Sequence, residues 1–237
     1  MITAKDIQQA TAYIDGVDIY DVGALVESFK VSGTQVTNNA YQGVNSSGFN
    51  VLSTIRGMRT ITLTLFYSGK TKRDLALKKA KIDNALGAGK IDLYLPDGFH
   101  YFAYLTAAGD EQALGVEGNE LIALSTYTLQ GIRHDDMVTL TVASGDPVIC
   151  ESLAPLTDVR LTCTASQAYA SITIGSVTIT SVAASDVLVV DGINKRILQN
   201  GAPCAGNMNF IKFPQLVPGV NTITCPETLT VEYYPTF

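Results

Sequence analysis

Residues 59–67 read Arg-Thr-Ile-Thr-Leu-Thr-Leu-Phe-Tyr, and this alternation constrains the fold more than any other stretch of the chain. Ile61, Leu63 and Leu65 fall on one side of an extended backbone, and Thr60, Thr62 and Thr64 on the other. Three β-branched threonines favour the strand further. A strand with one apolar face needs neighbours and a second layer to bury that face. The same period returns at Ile91, Leu93 and Leu95, and again at Phe99, Tyr101, Ala103 and Leu105. Pro96-Asp97-Gly98 between them supplies a hairpin turn. Further strands are expected at 121–131 and 137–143.

One helix is signposted. Thr71-Lys-Arg-Asp74 has the form of a capping box, with Asp in place of the usual Glu. Leu75, Ile82 and Leu86 then recur on one helical stripe, and Gly87 and Gly89 end it. Residues 1–12 suggest a short helix. Ile14-Asp15-Gly16-Val17 reads as a tight turn between extended arms. Residues 37–50 carry no charge and are rich in Asn, Gly and Ser, which predicts a loop or a projecting arm.

The pattern changes near Ser144-Gly-Asp-Pro147. Residues 1–150 hold 28 charged residues and residues 151–237 only 10, and no helical period appears after 150. Short alternating runs take over: Val159–Ala165, Ser171–Ile174, Ser176–Thr180, Val187–Val190, Ile193–Leu198, Met208–Phe213 and Leu229–Tyr234. Many short strands with Gly and Pro turns indicate an antiparallel sandwich. The expected fold is therefore mainly β with one clear α-helix. It comprises an α+β N-terminal domain over 1–145 and a C-terminal antiparallel β-sandwich over 150–237.

Composition narrows the function. Charged residues are 16% of the chain, well below the ordinary share of about 25%. With 46% hydrophobic residues, that excludes a disordered chain and disfavours a coiled coil. No apolar run is long enough for a membrane helix, and Asp6, Gln8 and Gln9 interrupt any secretory signal, so membrane insertion is not expected and folding in a cytoplasm is. A net charge of −6 argues against a specific nucleic-acid partner. No pair of the four cysteines has metal-ligand spacing. Cys163 lies in phase with Val159, Leu161 and Ala165, and Cys225 with Ile223, so both read as small buried hydrophobes. Free thiols are expected, with a Cys204–Cys225 disulfide as the alternative.

Catalytic signals are lacking. There is no G-x-S-x-G elbow, P-loop, H-E-x-x-H or Gly-rich fingerprint. His100 reads as a solvent-facing or strand-paired residue, and His134, beside Asp135 and Asp136, as part of a polar loop. No enzyme, cofactor or metal is expected. Tyr169, Tyr233 and Tyr234 are the candidates for a sugar platform in a chain without tryptophan.

The features that remain suit assembly. The helix carries Lys70, Lys72, Arg73, Lys78, Lys79 and Lys81 against Asp74 and Asp83, with Leu77 on the side away from the apolar stripe. Residues 106–120 read as a loop with four acids (Asp110, Glu111, Glu117 and Glu120) and no base. Leu77, Lys78, Lys79 and Lys81 are expected to meet those acids on a neighbouring copy.

Several segments together are similar to a known family. Tyr13-Ile-Asp-Gly-Val-Asp-Ile-Tyr20, the uncharged arm, Arg59–Leu65, the basic helix and Lys90-Ile-Asp-Leu-Tyr-Leu95 follow one another as in the N-terminal domain of the distal tail (Dit) proteins of long-tailed, siphovirus-type bacteriophages and prophages. Val187–Arg196, Asn200-Gly201 and Phe213–Ile223 resemble the second, galectin-like domain of that family. The resemblance implies a virion tail protein assembled in the bacterial cytoplasm. It would form a hexameric ring at the distal end of the tail tube and act as a hub for the baseplate. The tail tube protein, the tape-measure protein and a hub or fibre protein would be its partners, and no catalytic residue would be carried over. The rival reading is a lectin-like sandwich that binds carbohydrate in host attachment.

Overall fold

The computed structural model describes residues 11–41, 50–204 and 206–237. The helix expected over 1–12 lies outside the described residues, apart from its last two positions. The chain divides into two compact units, one ending at Arg133 and one running from His134 to Phe237.

The first unit is a mostly antiparallel sheet with the helix Lys72–Leu86 packed on one face. Its longest pairing joins Arg59–Gly69 to Glu120–His134, in register from Gly131↔Arg59 to Leu121↔Gly69. Ile61, Leu63, Leu65 and Tyr67 point inward and are sealed from solvent. On the opposite face the register sets Thr62 beside Thr128 and Thr64 beside Thr126. The two-residue period of the sequence is thus the two faces of the sheet. Leu25–Val31 pairs on the other side of Arg59–Gly69, and the hairpin Ile91–Tyr94 with His100–Ala108 completes the layer towards Tyr13–Ile14.

The helix begins as its sequence requires. The Thr71 hydroxyl accepts from the Asp74 amide at 3.1 Å, and the Asp74 carboxylate accepts from the Thr71 amide at 2.9 Å. Leu75, Ile82 and Leu86 are its buried residues. A second, one-turn helix, Ile19–Val22, is too short to carry a period and escapes sequence reading. Its caps are local: Asp18 Oδ1 accepts from the Tyr20 amide, and Gly23 takes a left-handed conformation at φ 100°.

Two expectations change in this unit. The stretch 106–120 is a hairpin, not a loop: Gln112–Glu117 pairs with Glu120–Leu124 across a turn at Gly118. Every residue of Gln112–Glu117 is exposed, so no burial period marks it as a strand. Where a loop or arm is expected over 37–50, the described flanks are strands: Val36–Tyr41 pairs with Asn50–Arg56 as a two-stranded sheet, and residues 42–49 lie outside the described residues.

The second unit starts earlier than the charge drop suggests. Val138–Val142 pairs with Leu229–Tyr233, which pairs in turn with Thr157–Thr164, so it belongs to the C-terminal sheet. That sheet continues through Val187–Asp191 and Arg196–Gln199. A three-stranded sheet (Tyr169–Ile174, Val177–Val182 and Met208–Phe210) supplies the other layer. Val159, Leu161, Leu188, Val190 and Val231 from the first sheet share one core with Ile172, Ile174, Val177 and Ile179 from the second. Alternating side chains from two sheets meeting in one core is sandwich packing.

The Asp191-Gly192 turn is fixed by what surrounds it. The Asp191 side chain is fully buried and accepts from the Asn194 amide, the Asn194 side chain and Arg196 Nε at 2.8–3.0 Å. A methyl group on Gly192 would sit 2.7 Å from the Val159 carbonyl oxygen and 3.0 Å from that of Pro214, so only glycine fits.

Candidate interaction surfaces

The helix face and the acidic hairpin both lie in the first unit. Leu77 is 54% exposed, and Lys81 is exposed beside it. Lys78 and Lys79 are half-buried instead. Lys78 lays its methylenes along Gly23. Lys79 Nζ bonds both oxygens of Asp83, at 2.9 and 3.0 Å, one helical turn away. Asp83 Oδ1 also accepts from the Tyr127 hydroxyl at 2.8 Å, so the basic stripe is tied to the sheet beneath it.

The acids divide in the same way. Asp110 and Glu117 are exposed. Glu111 accepts from the Tyr67 hydroxyl at 3.4 Å, and Glu120 accepts from Ser68 Oγ. Of the eight residues expected to meet across a subunit boundary, Lys79, Glu111 and Glu120 therefore already hold partners within their own chain. Leu77, Lys81, Asp110 and Glu117 are the exposed members outside those bonds. Sequence reading counts charges but does not see these bonds, because each joins residues far apart in sequence or one helical turn apart.

Burial shapes the tyrosines here. Tyr67, Tyr101 and Tyr127 are almost wholly buried, and burial pushes their hydroxyls above the ordinary tyrosine range. Hydrogen bonds to Asp97 and Asp83 push Tyr101 and Tyr127 higher still. In the second unit three carboxylates shift downward. Tyr169 and Ser166 donate to Glu227 and hold it below the usual carboxylate range. Asn200, the Ala183 amide and Gln199 do the same for Asp186. Burial alone would raise Asp191, but the bonds from Asn194 and Arg196 outweigh it and hold it low.

An uncovered edge adds to the exposed set. Leu114 and Val116 on Gln112–Glu117 are 52% and 66% exposed, and among the described residues this strand pairs with Glu120–His134 on one side only. In the second unit, Ile149 and Val220 are cross-strand partners, and both are exposed. A third feature is a shallow depression of about 370 Å³ lined by Tyr13, Gly16, Asp92, Tyr94 and His100. Its rings tilt towards one another, with centroids 5.8 Å apart for Tyr13–Tyr94 and 4.9 Å for Tyr94–His100, and His100 Nδ1 lies 3.0 Å from Asp92.

Two sequence readings of single residues change. His134 is buried at the end of a strand, not in a polar loop, with its ring edge-on to Tyr234 at 5.1 Å. Of the tyrosines considered for a sugar platform, Tyr233 is fully buried, while Tyr169 and Tyr234 are half-buried, with the Tyr169 hydroxyl bonded to Glu227 at 2.6 Å. No helix among the described residues is long and apolar enough to cross a membrane.

The fold has a clear counterpart among solved structures. The Dit (gp 19.1) protein of phage SPP1, described as a paradigm of the hub adsorption apparatus in phages that infect Gram-positive hosts, superposes with a TM-score of 0.68. The match covers 96% of this chain and 99% of that one at 16% identity. The phage P2 baseplate in its activated conformation also matches, with TM-scores of 0.60 with calcium and 0.57 with strontium. Both matches cover 95% of this chain and 97% of the other at 8% identity. No protein-family model matches the chain, and no curated protein does. The chain thus shares a fold with phage hub and baseplate proteins, and more particularly with SPP1 Dit over nearly its whole length.

Proposed function

We propose that this chain is a structural subunit of a phage tail tip. It forms a hexameric ring at the distal end of the tail tube and serves as the hub on which the baseplate assembles. The reading rests on one observation above all, the end-to-end match to a hub protein. A shared domain would match in part, whereas here 96% of one chain meets 99% of the other. In this reading the first unit makes the ring and the second, a galectin-like sandwich, stands at its periphery. The tube protein, the tape-measure protein and a hub or fibre protein are its neighbours, and assembly takes place in the host cytoplasm.

The surfaces are consistent with that role. A closed ring needs two different patches on each subunit. An exposed leucine on a basic helix and an acidic, apolar, one-sided edge strand are two such patches. Leu77 and Lys81 of one copy face Asp110 and Glu117 of the next, with Lys78 at the margin. Exposed ion pairs contribute about 0–1 kcal/mol each, so they set orientation and assembly rate more than affinity. Nothing catalytic is assigned to the chain.

Light scattering from the purified chain over a range of concentrations tests the proposal. A single oligomer that persists on dilution supports it. A chain that stays monomeric at roughly tens of micromolar, where even weak specific contacts associate, counts against self-assembled rings.

A further inference from the structure

We propose that Asn200 is a self-modification site: its side-chain amide closes on the Gly201 nitrogen and becomes a carboxylate, at a rate set by Asp186. Asn200-Gly201 is the only Asn-Gly pair in the chain. It forms the two-residue turn between Arg196–Gln199 and Ala202–Pro203, which pair through Leu198↔Pro203 and Gln199↔Ala202. Both turn residues take positive φ, 53° and 79°, as a type I′ hairpin turn requires. Both are exposed, and the turn leads into the last strand of its sheet. Glycine has no side chain to shield its nitrogen, so water reaches the amide that must act as nucleophile.

The carbon under attack is held at both ends. Asn200 Oδ1 accepts from the Val187 amide at 2.9 Å, and Asn200 Nδ2 donates to Asp186 Oδ1 at 2.7 Å. These partners fix which end of the carboxamide is oxygen, because an amide N–H only donates and a carboxylate only accepts. Asp186 is anchored in turn. Its other oxygen accepts from Gln199 Nε2 and from the Ala183 amide, each at 2.7 Å. Ring closure pulls Asn200 Cγ onto the Gly201 nitrogen and turns its oxygen and nitrogen out of the amide plane, so both side-chain bonds are given up. The folded turn therefore presents the nucleophile and withholds the carbon, and the reaction passes through local opening of the clamp.

The step balances with water alone. Hydroxide takes the proton of the Gly201 amide, and the nitrogen attacks Asn200 Cγ. The Cγ–Nδ2 bond breaks, the leaving nitrogen takes a proton from water and departs as ammonia, and a succinimide ring is left. Water then adds to one ring carbonyl and breaks one ring C–N bond. Opening at Cγ gives aspartate, and opening at the backbone carbonyl gives isoaspartate, whose main chain is one carbon longer. No electrons are exchanged. Either product sets a carboxylate where an N–H donated to Asp186. The Asn200 bond is the foremost of those that hold Asp186 below the ordinary carboxylate range, so repulsion replaces the main support of this corner. The pairing with Ala202–Pro203 then loosens. The reaction needs only the folded chain and water, and it does not rest on the proposed tail function.

The test holds the full-length chain at mildly alkaline pH, folded in buffer and unfolded in urea, and maps its peptides over time by mass spectrometry. Fragmentation of the converted peptide distinguishes aspartate from isoaspartate. In urea Asn200 should convert ahead of every other asparagine. In the folded chain it should convert about tenfold more slowly, the factor that a bond to a charged acceptor contributes. Asp186→Ala should bring the folded rate close to the unfolded one. Asn200→Asp, which carries the product without the reaction, should melt below the unmodified chain. Three results overturn the proposal: a folded chain that converts Asn200 as fast as the unfolded one, a folded chain that keeps Asn200 intact after the unfolded one has converted fully, and a folded Asp186→Ala chain with an unchanged rate. If Asp186→Ala does not fold, the ratio of folded to unfolded rates in the unmodified chain decides, together with the melting of Asn200→Asp.

Discussion

The two units solve the same packing problem with different materials. The first buries three tyrosines, Tyr67, Tyr101 and Tyr127, and ties their hydroxyls to Ser125, Asp97 and Asp83. Its helix and sheet are therefore joined by directed bonds as well as apolar contact. The second packs Val, Ile, Leu and cysteine from two sheets and places its one fully buried carboxylate, Asp191, in a turn. In the first unit the Tyr127–Asp83 bond links sheet to helix, and the other two tyrosine bonds brace the sheet itself. The second packs mainly by shape, and its polar bonds include the cross-strand pair Arg160–Glu232 and the buried Tyr233 hydroxyl, which donates to the Ile149 carbonyl. Three buried tyrosines are shifted upward in the first unit, and in the second three carboxylates are shifted downward beside one raised tyrosine, Tyr233.

Core truncation should separate the units most strongly. Leu63→Ala and Leu161→Ala each remove a fully buried side chain and should each cost about 2–5 kcal/mol. Hydrogen exchange followed by peptide should show protection lost in the mutated unit first. If either substitution loosens both units equally, they are one cooperative body and the comparison fails.

Removing the buried carboxylate comes next. Asp191→Ala deletes the acceptor of three bonds and should cost about 2–3 kcal/mol, confined to the second unit, as measured by denaturant unfolding. Tyr127→Phe is the matching change in the first unit. It leaves Asp83 still bonded to Lys79, so about 1 kcal/mol is expected.

Extremes of pH should sharpen the contrast. Asp186, Asp191 and Glu227 have folded pKa values below their ordinary ones, so their stabilisation is present above the ordinary carboxylate pKa of about 4. It is lost as pH falls from there through the depressed values. The second unit should therefore lose protection first in acid. Tyr67, Tyr101 and Tyr127 have raised values, so their stabilisation is complete below the ordinary tyrosine pKa of about 10 and is lost as pH rises above it. The first unit should yield first in alkali, although Tyr233 gives the second a smaller share of the same sensitivity. Exchange profiles showing the opposite order would refute this account of the two cores.

The smallest effect belongs to the surface. Lys81→Glu should slow assembly in low salt and leave the melting temperature nearly unchanged, because the side chain is exposed. Glu117→Lys on the same chain should restore part of the rate. Assembly kinetics indifferent to both changes would show that the helix is only a solvated face.

Much of this architecture was legible in the sequence, and the reasons are specific. Alternation at 59–67 and 91–105 becomes buried and open faces because a sheet has a two-residue period. The capping residues Thr71 and Asp74 act locally, so they read correctly. What was missed depends on distance or on absent periodicity. Gln112–Glu117 is exposed on both faces and Ile19–Val22 is one turn long, so neither leaves a burial pattern. The end of the first unit at Arg133 is hidden because Val138–Val142 finds its partner some ninety residues later, in Leu229–Tyr233. The candidate contact residues were visible as charges. That Lys79, Glu111 and Glu120 are already engaged depends on Asp83, Tyr67 and Ser68, whose positions only the fold supplies.

The central claim is that this fold builds a ring. Electron micrographs of the purified chain in negative stain, sorted into class averages, test it most directly. The account predicts closed rings with a central opening and sixfold symmetry, in a particle of about 152 kDa, since 6 × 25.3 kDa gives that mass for a cyclic hexamer. Uniform small particles without an opening, of the mass of one chain at every concentration, would contradict it.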